Sequence, residues 1–230
     1  MAKKAAKVPT HAEANVGEIF SKSERFIETY RNHIIIAVAA VIVLVVVVLG
    51  IRQYYFLPKE KEAQASIFPG ENYLANQQWE LALNGDGKDY VGFVGIIEDY
   101  KMTKTAKLAE AYAGICYYHL NKPEEALAYL KKYNVSDKVI APVIKGLMGD
   151  CYVDLGKVAE GIKYFNKAAS EANSELLSPI YLKKAGTAYE SLFDYANAVK
   201  TYQTIKNKYP ASQEASDIEK YIDRASLQIK

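Results

Sequence analysis

Three glycines set the frame of this chain: Gly114, Gly149 and Gly186, spaced by 35 and 37 residues. A tyrosine follows each by three residues (Tyr117, Tyr152, Tyr189) and a leucine by six (Leu120, Leu155, Leu192). A small residue follows by twelve (Ala126, Gly161, Ala198). Then come Leu127, Ile162 and Val199 at thirteen, Leu130, Phe165 and Tyr202 at sixteen, and Tyr133, Ala168 and Ile205 at nineteen. Self-similarity at such a period marks stacked supersecondary units rather than a single globular core. Small residues at the glycine and twelfth positions let two antiparallel helices approach closely. Tyrosine and leucine fill the space between them. Such a hairpin cannot bury its own apolar face, so neighbours must stack on it.

The turns fit the same plan. Asn121-Lys122-Pro123, Gly156-Lys157 and Phe193-Asp194 fall between the paired helices. Pro123 suits a first helical turn, where its missing N–H costs nothing. Glu124, Glu125 and Glu160 favour a helix N-terminus. The pattern resembles the tetratricopeptide repeat (TPR), and Tyr209-Pro210 supplies its closing proline in the third unit. The expected fold is all-α: an N-terminal transmembrane helix, then a TPR-like α-solenoid with a capping helix. The repeat-packing residues are Gly114, Tyr117, Ala126, Gly149, Tyr152, Gly161, Gly186, Tyr189 and Ala198. Most of the chain's 19 tyrosines become packing residues.

Upstream, 18 residues between His33 and Arg52 carry no charge, and Ile, Val and Leu make up all but the alanines and Gly50. At roughly 1.5 Å per residue this is about 27 Å of helix, the thickness of a bilayer core. The run is long for a signal-peptide core and exits into Arg52-Gln-Tyr-Tyr without a small-residue cleavage site, so an uncleaved anchor is expected. Tyr30 on one side and Tyr54, Tyr55 and Phe56 on the other suit the interfaces. Flanking basic residues tie; Lys3, Lys4 and Lys7 tip the tail towards the cytoplasm. Residues 13–32 place Val16, Ile19, Phe20, Phe26, Ile27 and Tyr30 mostly on one helical face. They read either as a helix on the inner leaflet, or touching a membrane partner, or as a lead-in to the span.

The domain plan is a tail with an amphipathic helix at 1–32, an anchor at 33–56, a divergent helical hairpin at 57–105, three TPR units at 106–210 and a cap at 211–230. The cap reads as one helix over 211–229, with Ile218, Tyr221, Ile222 and Ala225 at helical spacing. Pro69-Gly70 is expected to interrupt the helix at 59–78. Asn84-Gly85-Asp86-Gly87 begins like a calcium loop, but Lys88-Asp89-Tyr90-Val91 breaks the ligand spacing, leaving a tight turn.

Charge and chemistry narrow the function. Net charge is +2, and the basic excess sits in the first 33 residues, so the solenoid carries no electrostatic footprint for nucleic acid. No nucleophile–base pair, metal-ligand spacing or phosphate loop stands out, so neither an enzyme, a cofactor nor a small-molecule substrate is expected. Cys116 and Cys151 each lie two residues past a glycine, a slot for a small buried side chain. Equivalent positions on stacked helices lie roughly 8–10 Å apart, beyond disulfide reach.

First helices of such hairpins present a candidate partner groove: Leu108, Ile115, Tyr118 and His119, then Asp150 and Asp154, then Lys183 and Glu190, with Ala111, Val143, Gly146, Val153, Ile180, Thr187 and Ser191 between them. Lys183 alone does not make a clamp for a C-terminal carboxylate. Asp150 and Asp154, one turn apart, read as a solvated acidic turn, a seat for a basic side chain, or a metal site.

The stretch LALNGDG…GFVGIIEDYKMTKTAKLAEAYAGICYY, with Leu81-Ala82-Leu83-Asn84-Gly85-Asp86-Gly87 and Thr103-Lys104-Thr105, resembles the YfgM-like proteins, ancillary subunits of the bacterial SecYEG translocon. The resemblance covers most of residues 20–210. It implies a single-pass inner-membrane protein with a cytoplasmic N-terminus and a periplasmic domain that contacts the translocon and periplasmic chaperones handling exported chains. Rival readings are a scaffold for another envelope assembly, such as outer-membrane biogenesis or division, and a self-associating structural protein.

Overall fold

The structure, a computed structural model, describes the backbone of residues 11–229 and the side chains of residues 29–229. It separates into two units, Met1–Leu57 and Pro58–Lys230. The basic tail at residues 1–10 lies outside the described residues, as do most of the side chains on which an amphipathic face at 13–32 rests.

In the first unit, helix α1 (His11–Ile51) runs unbroken through the apolar stretch and passes into a π-helical turn at Arg52–Phe56, closed by the Leu57 N–H on the Arg52 carbonyl. Among the described residues the apolar side chains of this helix are exposed: Ile36 is 67 % and Leu44 64 % exposed. A core helix of a soluble protein would be buried. This helix is long and apolar enough to cross a membrane.

The second unit is a stack of helices: α2 (Leu57–Ala75), α3 (Trp79–Asn84), α4 (Gly92–Asp99), α5 (Lys104–His119), α6 (Pro123–Leu130), α7 (Ile140–Asp154), α8 (Val158–Ala172), α9 (Ser178–Ser191), α10 (Tyr195–Lys208), and α11 (Ile218–Ser226) after a 3₁₀ turn at Glu214–Ser216. Helices α5/α6, α7/α8 and α9/α10 are antiparallel pairs, each closed by the same turn. In it the third-position tyrosine carbonyl accepts from the N–H five residues on: Lys122 to Tyr117, Lys157 to Tyr152 and Asp194 to Tyr189, at 2.8–3.0 Å. The residue before that donor is left-handed in every case: Asn121 (φ 56°), Gly156 (71°) and Phe193 (60°).

The glycines do what their positions require. A methyl group on Gly149 would sit 2.5 Å from the Phe165 ring, and one on Gly114 or Gly186 would overlap Leu130 or Tyr202. Ala126 and Ala198 are fully buried, and Gly161 is buried beside the Gly149 backbone. Tyr117 stacks on Tyr129 and Tyr152 on Tyr164 in the same geometry, 5.1 Å between centroids and 22° between planes.

Pro69-Gly70 does not interrupt α2, contrary to the expectation from sequence. Proline inside a helix loses one hydrogen bond and costs about 3 kcal/mol. Packing offsets it: Gly70 is buried under Tyr90 and Phe93, within a core that includes Ile67, Leu83 and Ile96. Gly70 is in fact the glycine of a further unit. Tyr73 follows by three residues and the buried Ala82 by twelve, and Gln78 N–H bonds to the Tyr73 carbonyl at 2.8 Å behind a left-handed Gln77 (φ 59°). The second helix of this unit is split. After α3 the chain makes a loop at 85–91, and α4 completes the layer by packing against α3 and α5. In the loop, the Asp86 carboxylate accepts from the Lys88 and Tyr90 N–H groups and the Tyr73 hydroxyl, so it closes a turn.

Glu60 on α2 ties this unit to the next by accepting from the Lys104 N–H at 2.7 Å and from the Thr105 N–H and hydroxyl. At the other end the helix is shorter than 211–229. Ser212 receives the Ala215 N–H in a tight turn, and α11 starts only at Ile218. It packs on α10, with Ile218 and Ala225 buried, in the place of a further first helix. Tyr133, nineteen residues past Gly114, packs against the core from outside a helix. Helix α6 ends at Leu130, so Tyr133 lies in a loop, whereas Ala168 and Ile205 are fully buried in helices.

Candidate functional site

The helical turn puts every fourth residue of α7 and α9 on one face, and Gly146 lets the two helices close up: a methyl group there would overlap the Tyr181 ring. Between α7, α8 and α9 this leaves an open cleft of about 430 Å³. Phe165, Val153, Ile180 and Ala188 give it an apolar lining, and Asp150, Lys183, Lys184 and Glu214 stand around it.

The charges of this cleft are linked across the stack. Lys184 of α9 donates to Asp150 of α7 at 2.6 Å. Lys183 donates to Asp217, just before α11, at 2.8 Å. Arg224 of α11 donates to Glu190 of α9 through two nitrogens, at 2.9 and 3.1 Å, and Glu190 also accepts from the buried Tyr202 hydroxyl at 2.7 Å. Each of the three ion pairs joins residues 34 apart, close to one repeat period. Burial pushes the Asp150 carboxyl above its ordinary value, against the pull of Lys184. Burial also works against the charge of Lys183, but Asp217 and the neighbouring Tyr221 outweigh it and hold the ammonium above its usual range.

The structure places the groove residues in separate settings. Asp150 and Lys183 share the cleft with Val153, Ile180, Thr187 and Ser191. Tyr118, His119 and Asp154 line a smaller hollow of about 380 Å³ at the turn end, with Asn121 and Pro123. His119 stacks flat on Trp79, 4.1 Å between centroids at 7°. Leu108 packs against the core of the N-terminal unit and Ile115 against the core between α6 and α7. Glu190 is taken up by Arg224 and Tyr202. Four lining residues were not among the groove candidates: Phe165, Lys184, Ala188 and Glu214. Lys184 was legible in principle, because it stands close to one repeat period from Asp150.

Both cysteines are fully buried, and burial pushes each thiol up to about 12, far from the range of a nucleophile. Asp154 is exposed, and Asp150 is engaged by Lys184.

Residues 144–174 and 182–212 each match a tetratricopeptide repeat family. The chain carries tetratricopeptide repeats. The matched segments cover most of α7/α8 and α9/α10, the two TPR units around the cleft. No curated protein matches the chain. A TPR stack is a protein–protein interaction scaffold. The cleft between α7 and α9 has an apolar floor and a rim of charged groups.

Proposed function

We propose that this protein is a membrane-anchored TPR adaptor that recruits protein partners at the bacterial protein-export translocon and links it to periplasmic chaperones or newly exported chains. The observation that carries the anchored part is the bare apolar surface of α1, which only lipid or another membrane segment would cover. The translocon role rests on the likeness of residues 81–118 to the YfgM-like proteins. In this reading residues 1–32 form a cytoplasmic tail, 33–56 the inner-membrane anchor, 57–105 a leading hairpin, 106–210 the TPR units and 211–230 the cap. The groove residues Asp150 and Lys183 meet the partner through the cleft, while Tyr118, His119 and Asp154 meet it through the turn-end hollow. No catalytic step, cofactor or metal enters this function.

The test is affinity isolation of the full-length protein from membranes in mild detergent, read by mass spectrometry, beside a control carrying an unrelated span. Enrichment of translocon subunits and periplasmic chaperones only with the native anchor is the expected result. Enrichment of an outer-membrane assembly or division complex instead would overturn the translocon role and leave the anchored scaffold. A concentration-dependent oligomer with no partner would overturn both.

A further inference from the structure

The second helices of the stack are unequal. Helix α8 runs to 23 residues past its unit's glycine and α10 to 22, but α6 stops at 16. The shortfall is nearly two turns, about 10 Å at roughly 1.5 Å per residue. In the N-terminal unit α3 is also short, but α4 fills the place: it lies against α3 and α5, with Phe93 and Ile96 fully buried. After α6 no helix does this. The loop at 131–139 passes over the gap, and under it lies a cavity of about 620 Å³ between α6, α7 and α8.

The lining of this cavity is two-sided. Its floor is apolar, from the buried Leu130, Ile144 and Met148. Around it stand Lys131, Lys138, Lys145 and Lys167 against two carboxylates, Asp137 and Glu171. Both carboxylates are already engaged. Asp137 accepts the N–H groups of Val139, Ile140 and Ala141 and the Tyr133 hydroxyl. Glu171 pairs with Lys145. The remaining potential is positive over an apolar floor, at the spot where a helix is missing.

We propose that this cleft is a docking site for a short acidic amphipathic segment of a partner protein, which completes the second helix of the α5/α6 unit. Its apolar side chains take the floor, and its carboxylates face the lysines. The chain already holds a template for such a segment: α4 (GFVGIIED) is eight residues long, buries Phe93 and Ile96, and ends in exposed acids. The chain's own N-terminal tail has the wrong sign for this seat, because Lys3, Lys4 and Lys7 make it basic. The site is separate from the cleft between α7 and α9 and does not depend on the translocon reading.

The test uses the full-length protein in detergent micelles and a fluorescein-labelled peptide of the α4 sequence extended by two glutamates. A control peptide carries lysine at every acidic position. Saturable binding of the acidic peptide alone is expected, weakened by added salt. The double variant Lys138→Glu/Lys167→Glu should weaken it roughly tenfold or more, because it sets like charges against the ligand. Both lysines are exposed, so the variant should keep its circular dichroism spectrum and melting temperature. A photo-cross-linker at Ser136 should capture the peptide as well. Equal binding of both peptides, no binding, or indifference to the lysine variant would overturn the proposal. So would a Ser136 cross-link to the chain's own tail or to a second copy, or binding of anionic-lipid vesicles through the same lysines in place of the peptide.

Discussion

The Tyr90 hydroxyl lies where a side chain on Gly70 would begin, and it donates to the Ala82 carbonyl at 2.8 Å on the neighbouring helix. Tyr90 thereby serves the N-terminal unit as Leu130, Phe165 and Tyr202 serve the units after it. Gly70→Ala is expected to destabilise the protein by about 1–3 kcal/mol through overpacking, despite a propensity gain of about 1 kcal/mol in a helix. The midpoint of urea unfolding measures it. An unchanged midpoint would mean that α2 is not part of the packed stack.

Phe193 occupies a left-handed turn position that Asn121 and Gly156 fill in the sister units, and its ring is 78 % exposed. A bulky residue there costs about 1–2 kcal/mol, while asparagine tolerates the conformation better. Phe193→Asn should therefore raise the melting temperature by about 2–4 °C for each kcal/mol relieved. A lower melting temperature would show that the Phe193 ring contributes packing that outweighs the strain.

Asp137 holds the start of α7. Burial opposes its ionisation, but hydrogen bonds from Val139, Ile140, Ala141 and Tyr133 prevail, and the carboxyl titrates below its ordinary 3.8. A depressed acid contributes stability above its unfolded value and loses it as pH falls through the folded value. Asp137→Ala should cost about 1–2 kcal/mol near neutral pH, as for a lost helix cap. The gap between variant and wild type should close as the pH drops below 3.8. A pH-independent gap in urea titrations would contradict this account.

Cys116 and Cys151 should resist a thiol reagent in the native protein and react together on unfolding, since both are fully buried with thiols pushed up to about 12. Ellman's reagent with and without urea reads this directly. Fast native labelling of either residue would require an opening that the packing does not provide.

Alkaline carbonate should leave the protein in the membrane pellet. At roughly −0.3 to −0.6 kcal/mol for each Ile, Val or Leu, the uncharged run favours insertion by several kcal/mol. Recovery in the soluble fraction would remove the anchor from the proposed function.

The sequence made the regular part of the stack legible, because Gly149/Tyr152/Gly161/Phe165 and Gly186/Tyr189/Ala198/Tyr202 repeat a packing problem with one solution. It showed a divergent hairpin at 57–105 but hid its repeat register, for three physical reasons. Pro69 reads as a helix breaker until its burial context is known, and Asn76 stands where the sister units have leucine. The 85–91 loop then shifts the packing aromatic from the sixteenth place to Tyr90. The groove was half legible. Helical spacing assigns Asp150 and Lys183 to the first-helix face, but not the cross-links to Lys184 and Asp217 that fix their charges. Leu108 and Ile115 show the limit of that reasoning, since a face pattern does not say which neighbour covers it.

The early stop of α6 also has a mechanical side. Helix α7 packs less extensively on α6 than α9 does on α8, so the stack has a thin joint at residues 131–139. Tension along the stack would concentrate there, and the segments on either side would swing as two stiff rods before either one unravelled. A ligand seated in the gap would act as a splint, turning a jointed arm into a single beam.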